Sequence, residues 1–209
     1  MAPRVNARLP LSLLEAVRVM DVPELDTETE YVQELRNKRL GLSDTVYQQI
    51  LRYTDAVKRG QGIWYAEATG LATLIGRRPD AAQLYVSAGQ ILARDAFESI
   101  SGAKRRIIRV LPNFGRPLAL RELRKITTDY FRGTLSRSGG SVSLTVPISV
   151  TVNSAPNSIG CTYYAAALSE LLKLLIDGEG PVEHELCLQR GDTACEWRAG
   201  WRSSKTRAN

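Results

Sequence analysis

Residues 141–152 read Ser-Val-Ser-Leu-Thr-Val-Pro-Ile-Ser-Val-Thr-Val, with an aliphatic side chain at every even position. Successive side chains of a β-strand point to opposite faces, so this alternation predicts one strand with a single buried face. Pro147 has no N–H group to donate to a neighbouring strand, which favours an edge position or a bulge there. This stretch marks the point where helical spacing gives way to sheet.

The pattern on either side predicts helices before this strand and a helix and a hairpin after it. Upstream, apolar spacing and capping residues predict helices near 11–20, 44–60, 64–75, 80–101, 103–111 and 117–132. Downstream, we expect a helix over 160–176, and strands over 182–189 and 195–201 joined through Arg190-Gly191-Asp192. The expected fold class is α+β, with helices packed on a small antiparallel sheet. We expect an N-terminal helical region over 1–79, one domain over 80–201 and a disordered basic tail over 202–209.

Composition excludes several classes of protein. The chain has 209 residues, 44% of them hydrophobic and 24% charged, which rules out collagen, coiled coil and wholesale disorder. No apolar run approaches the roughly 20 residues of a membrane span. The N-terminus carries no recognisable cleavage site for a signal peptide, so we expect a cytoplasmic protein without a membrane span.

Positive charge is concentrated in one segment. Residues 104–137 hold ten basic and two acidic residues, whereas the whole chain has a net charge of only +6. Such a segment could attract nucleic acid, a membrane surface or an anionic ligand. The alternative is a solvated helix face whose arginine stems cover the core.

The three cysteines and the single histidine all lie in the last 50 residues. A hairpin loop centred on Gly191 would place Cys187 opposite Cys195, close enough to share a tetrahedral zinc ion. Cys161 lies at a helix start, where the helix dipole favours a thiolate. The alternatives are three buried free cysteines or a Cys187–Cys195 disulfide, which a reducing cytoplasm disfavours.

Two residues, His184 and Glu185, compete for the place of the fourth ligand. His184 supplies an imidazole that suits zinc beside thiolates, but residues three apart on a regular strand face opposite sides. His184 and Cys187 can therefore meet one ion only if the strand bends or starts late. Glu185 shares the face of Cys187 and is the competing ligand.

The stretch Glu185–Trp197, which reads ELCLQRGDTACEW, resembles the C-terminal signature of the 4-vinyl reductase domain family. That family includes bacteriochlorophyll 4-vinyl reductase-type proteins and the sensory domains of phenol- and xylene-responsive activators, and it is structurally akin to TRAPP subunits. Cys161 matches the family's upstream cysteine, and residues 108–140 are more loosely similar. The resemblance covers about residues 80–201.

The resemblance implies a TRAPP-like fold, a structural zinc ion and a small-molecule pocket between the helices and the sheet. In the sensor members the matching cysteines bind zinc, and the fourth ligand is usually glutamate where this chain has His184. The ligand would be a hydrophobic, aromatic or tetrapyrrole-like molecule that is sensed or delivered in a pathway such as bacteriochlorophyll biosynthesis. Aromatic side chains that could line the pocket are Tyr85, Phe97, Tyr130, Phe131 and Tyr164.

The sequence gives little support for catalysis. No Gly-x-Gly-x-x-Gly motif or phosphate loop is present, and the single histidine is needed for the metal. We therefore expect a zinc-stabilised binding module that forms a homodimer. Residues 1–79 could in addition dock a protein partner. The alternatives are a structural adaptor without a ligand and, less favoured, a nucleic-acid binder that uses residues 104–137.

Overall fold

The computed structural model describes residues 3–21, 44–178 and 180–201. The helices are α1 (Arg8–Asp21), α2 (Asp44–Lys58), α3 (Tyr65–Gly76), α4 (Ala81–Glu98), α5 (Gly102–Val110), α6 (Pro112–Phe131) and α7 (Thr162–Ile176). The strands are β1 (Arg4–Asn6), β2 (Gly62–Trp64), β3 (Thr134–Ser138), β4 (Ser141–Val146), β5 (Val182–Leu186) and β6 (Cys195–Gly200). The predicted tail over 202–209 lies outside the described residues.

The α+β class is confirmed: helices pack on a four-stranded antiparallel sheet of strand order β3-β4-β6-β5. The alternating stretch supplies β4, whose Val142, Leu144 and Val146 are fully buried. The predicted strand over 141–152 was too long, because β4 ends just before Pro147. The partner strand β3 was not predicted, since Thr134–Ser138 carries one apolar residue among polar ones.

Several predicted helix boundaries were also wrong. The helix predicted over 117–132 begins at Pro112, and Pro117 lies inside its second turn. Trp64 belongs to strand β2, which pairs with β1 in a separate two-stranded sheet that was not predicted. Asp80 precedes α4 as expected, but its carboxylate accepts hydrogen bonds from Arg78 instead of capping the helix.

The centre of the fold is the packing of α4 against α7. One stripe of α7, formed by Tyr164, Leu168, Leu171 and Leu175, is buried, as the helical spacing predicted. Val5, Leu9 and Leu13 of the N-terminal region and Ala72 and Ile75 of α3 belong to the same core cluster as the residues after 80. The two regions thus share a hydrophobic core.

One described helical stretch, Pro156–Ile176, is long and apolar enough by length and composition to cross a membrane. Half of the most apolar 18-residue part of this stretch is buried inside the protein. A core helix of a globular fold passes the same test of hydropathy, so the finding is weak evidence for a membrane span.

Candidate metal site

The site lies at the turn end of the β5–β6 hairpin, where a bulge changes the register. Val182, Glu183 and His184 pair with Ala199, Arg198 and Trp197, but Leu186 pairs with Glu196. Glu185 is therefore the extra residue of a β-bulge. Residues three apart on a regular strand face opposite sides. The bulge removes this obstacle, because it lets His184 and Cys187 face the same side.

His184 is held against the core face of the sheet by Trp197. The two rings stack with centroids 5.0 Å apart and an interplanar angle of 10°. Cys195 lies two residues before Trp197 on β6, so both side chains point to that same face. Cys195 pairs with Val146 of β4 and is fully buried.

Cys187 directly follows β5, and a tight turn fixes its position. Its N–H group donates to Oδ2 of Asp192 at 2.7 Å, and its carbonyl accepts from the N–H of Arg190 at 2.8 Å. Gly191 in this turn has a φ of 94°, a left-handed conformation that glycine adopts without strain. The N–H group of Leu188 donates to Sγ of Cys195 at 3.4 Å, so the turn also binds the opposite sulfur.

Cys161 is the residue immediately before α7, as the sequence predicted. The loop that leads to it is unusual, because Asn157 and Ser158 both have left-handed backbone, with φ of 55° and 57°. Such residues each cost about 1–3 kcal/mol, and they persist where surrounding contacts enforce them. One such contact is that between Ser158 Oγ and Cys187 Sγ, at 3.4 Å.

The four ligand atoms of Cys161, His184, Cys187 and Cys195 lie within 4.8 Å of one another. The Sγ atoms of Cys161 and Cys187 are 3.8 Å apart. Two sulfurs at about 2.3 Å from a tetrahedral zinc ion would be separated by about 3.8 Å. All three cysteines are buried and free, so the alternative of a Cys187–Cys195 disulfide was wrong.

The protonation of the sulfurs reflects their crowding. Interaction with Cys195, reinforced by burial, raises the pKa of the Cys161 thiol far above its ordinary value. Interaction with Cys161 lowers the pKa of Cys195, and the N–H of Leu188 and the side chain of His184 lower it further. Without a cation, adjacent thiolates repel each other in a buried site; a bound divalent ion would stabilise all three.

The structure favours His184 over Glu185 as the fourth ligand. Nε2 of His184 is buried and has no hydrogen-bond partner among the described residues. An unsatisfied buried nitrogen costs free energy unless it meets a cation or a donor. Glu185 is exposed, and its carboxylate lies 3.4 Å from the guanidinium of Arg198. The Cys₃His set could therefore hold a metal ion, and its chemistry is compatible with zinc.

Aromatic rings connect this cluster to the core. Trp197 stacks on Tyr164 at 5.1 Å, and Tyr164 meets Phe131 edge-on at 5.4 Å. Tyr85, Phe131 and Tyr164 were predicted to line a pocket, but each is at most 2% exposed. The two tyrosine hydroxyls are also occupied: that of Tyr85 donates to the Ala72 carbonyl, and that of Tyr164 accepts from the N–H of Val150. These three rings offer no surface to a small molecule in this structure.

Phe97 and Tyr130 are the other two predicted pocket residues, and both are partly exposed. Arg105 lies over the Phe97 ring at 5.6 Å, and Arg8 lies over the Tyr130 ring at 5.5 Å. The Tyr130 hydroxyl is 3.3 Å from Oγ of Ser99, and Ser99 lies two residues after Phe97 in the chain. The structure thus gathers two aromatic rings and two arginines on one surface.

Sequence reasoning missed the residues that support the ligands. Trp197 and Asp192 were quoted only as parts of a motif, although Trp197 orients His184 and Asp192 fixes the backbone of Cys187. The Gly-Asp pair between two cysteines was an available signal for that turn. Nothing in the sequence indicated the contact of Ser158.

Comparison with known proteins identifies no relative: no family model matches the chain, and neither a curated protein nor a solved structure matches it significantly.

Proposed function

We propose that the protein is a zinc-stabilised small-molecule-binding module of the 4-vinyl reductase type, with a TRAPP-like fold. The observation that carries the proposal is the convergence of three cysteines and one histidine at the end of the hairpin. Three of these residues, Cys161, Cys187 and Cys195, match the cysteines of the pattern that resembles that family. The α+β order of helices and a four-stranded sheet is compatible with the comparison.

The role proposed for zinc is structural. Four protein ligands complete a tetrahedral shell, which leaves no open position for a substrate. The ion would join β5, β6 and the start of α7, three elements that meet at this point. Cys161 is the ligand that ties the hairpin to the helix. Metal binding would therefore add directly to the free energy of folding.

The ligand proposed is a hydrophobic aromatic or tetrapyrrole-like molecule with acidic groups. Supporting this, Phe97 and Tyr130 present partly exposed ring surface, and Arg8 and Arg105 lie above those rings. Guanidinium groups bind carboxylates through paired hydrogen bonds. Sensing or delivery of such a molecule follows from binding without catalysis, and a homodimer is the proposed assembly.

A binding titration tests the ligand proposal. Quenching of protein fluorescence by a carboxylated porphyrin would be compared for the parent protein, Arg105→Gln and Arg124→Gln. Arg124 is an exposed arginine on α6, so it controls for loss of one positive charge. We expect Arg105→Gln to weaken binding by about tenfold and Arg124→Gln to leave it unchanged. No saturable binding by the parent protein would contradict the proposal.

A further inference from the structure

Helix α5 is a second feature of the molecule that the metal site does not explain. None of its nine residues, Gly102–Val110, is buried. It rests mainly on α6, with Ile108 packed against the core. A helix that contributes so little to the core can use its exposed side chains to contact a partner.

The outer side of α5 is apolar as well as basic. Ile107 is 39% exposed, Val110 is 62% exposed, and Leu111 at the end of the helix is 48% exposed. Ile107 and Val110 are three residues apart on α5, so their side chains lie on one face of the helix and form an aliphatic stripe. Contiguous exposed aliphatic side chains of this kind mark interaction surfaces.

Positive charge borders that stripe. Arg106 and Arg109 are exposed on α5, and Arg116 is exposed near the start of α6. Among the described residues, α5 makes one ion pair, between Lys104 and Glu122, and none of these three arginines makes another. The apolar stripe thus lies beside arginines whose charge is available to an anionic partner.

From this combination we propose that α5 lies on an anionic membrane surface, with its aliphatic stripe in the lipid interface. An interfacial helix of this type inserts apolar side chains while Lys and Arg bind anionic headgroups. A nucleic-acid backbone would match the arginines but offers no partner for Ile107 and Val110. A second copy packed by two-fold symmetry would place arginine against arginine. The inference does not depend on the metal site.

Vesicle co-sedimentation of the full chain tests this inference. The probe is phosphatidylcholine vesicles with or without phosphatidylglycerol. We expect binding that requires the anionic lipid, weakens at high salt, and falls about tenfold or more in Ile107→Asp/Val110→Asp. A second variant, Arg106→Ser/Arg109→Ser, should weaken binding too, because it removes two headgroup contacts.

The matched control is Val86→Asp/Leu74→Asp, since Val86 is 38% exposed and Leu74 is 58% exposed, on other helices. Circular dichroism melting verifies that each variant is folded. Three results would overturn the inference: no vesicle binding by the parent protein, equal loss of vesicle binding in the control, or tight binding to a DNA or RNA duplex without vesicle binding. A dimer that Ile107→Asp/Val110→Asp dissociates, without vesicle binding by the parent, would also overturn it.

Discussion

At the scale of single residues, the bulge at Glu185 decides which side chains form the site. It places His184 and Cys187 on one side of the hairpin and directs Glu185 toward Arg198. His184 is stacked on Trp197 and carries a buried Nε2 without a partner. These contacts favour His184 over Glu185 as the fourth member of the cluster, beside the three cysteine sulfurs.

A pair of neighbouring substitutions tests that assignment. We expect His184→Ala to weaken zinc affinity by about 100-fold or more, because one of four ligands is lost. Glu185→Ala should leave affinity within about twofold, since its carboxylate lies outside the cluster. Competition with a chromophoric zinc chelator measures both. Equal weakening in the two variants would show that the glutamate also binds the metal.

The pH dependence of metal binding follows from the thiols. The pKa of Cys161 is raised in the metal-free cluster, so this sulfur is protonated at neutral pH. Zinc binding must displace that proton, and apparent affinity should therefore rise as pH rises and fall as pH falls. Chelator competition at several pH values between about 6 and 8 measures the slope. Affinity that is independent of pH would contradict thiolate ligation.

At the scale of elements, the molecule depends on the close packing of α4 on α7. Gly89 of α4 faces the backbone of α7, and an added Cβ there would collide with the carbonyl oxygen of Tyr163. Tyr163 directly follows the start of α7, two residues from Cys161. The contact therefore helps to set the position of the metal-ligating end of that helix.

Two glycine substitutions test this packing. Gly89→Ala should lower the free energy of unfolding by about 2–3 kcal/mol, because α4 and α7 must separate. Gly70→Ala is the control, since nothing lies within 4 Å of its added Cβ. In the interior of α3 it should be neutral or stabilise by up to about 1 kcal/mol. Urea denaturation measures both; similar effects in the two variants would contradict the packing argument.

The sequence predicted the elements whose patterns are strong and local. The alternation of β4 and the buried stripe of α7 both followed from apolar spacing. Strand β3 was missed because Thr134–Ser138 carries only one apolar residue, although the Gly139-Gly140 pair that joins it to β4 is a typical two-residue hairpin turn. The strand predicted over 141–152 was too long, because Val150 and Val152 continue the buried alternation without belonging to a strand.

The candidate ligands were predictable because cysteine and histidine are rare and their spacing is specific. The bulge that joins them was not predictable, since register follows from pairing between strands. The pocket assignment relied on residue type alone. Tyr85, Phe131 and Tyr164 are buried in the core, because aromatic side chains fill cores as readily as they line pockets.

At the scale of the whole molecule, an ionic link joins the region before residue 80 to α4. Arg78 donates to both carboxylate oxygens of Asp21, at 2.7 and 3.1 Å, and to Asp80 at 2.8 Å. Asp21 ends α1, and Asp80 precedes α4. The hydrogen bond from Arg78 lowers the pKa of Asp80.

Removing this link should destabilise the chain in a pH-dependent way. We expect Arg78→Met to lower the free energy of unfolding by about 1–3 kcal/mol at neutral pH. Because the pKa of Asp80 is lowered in the fold, its contribution is present above about pH 4 and is lost as pH falls through the folded pKa. The difference between parent and variant should therefore shrink in acid. Denaturation at several pH values measures it, with the exposed Arg77→Met as control; a constant difference would contradict the assignment.

The central claim is that Cys161, His184, Cys187 and Cys195 hold one zinc ion, and elemental analysis of the purified protein tests it most directly. Protein dialysed against metal-free buffer should retain about one zinc per chain, and Cys187→Ser should retain much less. The matched control is Ser158→Ala, which removes a neighbour of the Cys187 sulfur but no ligand, and it should keep its zinc. A parent protein without tightly bound metal, or a Cys187→Ser variant with as much zinc as the parent, would contradict the account.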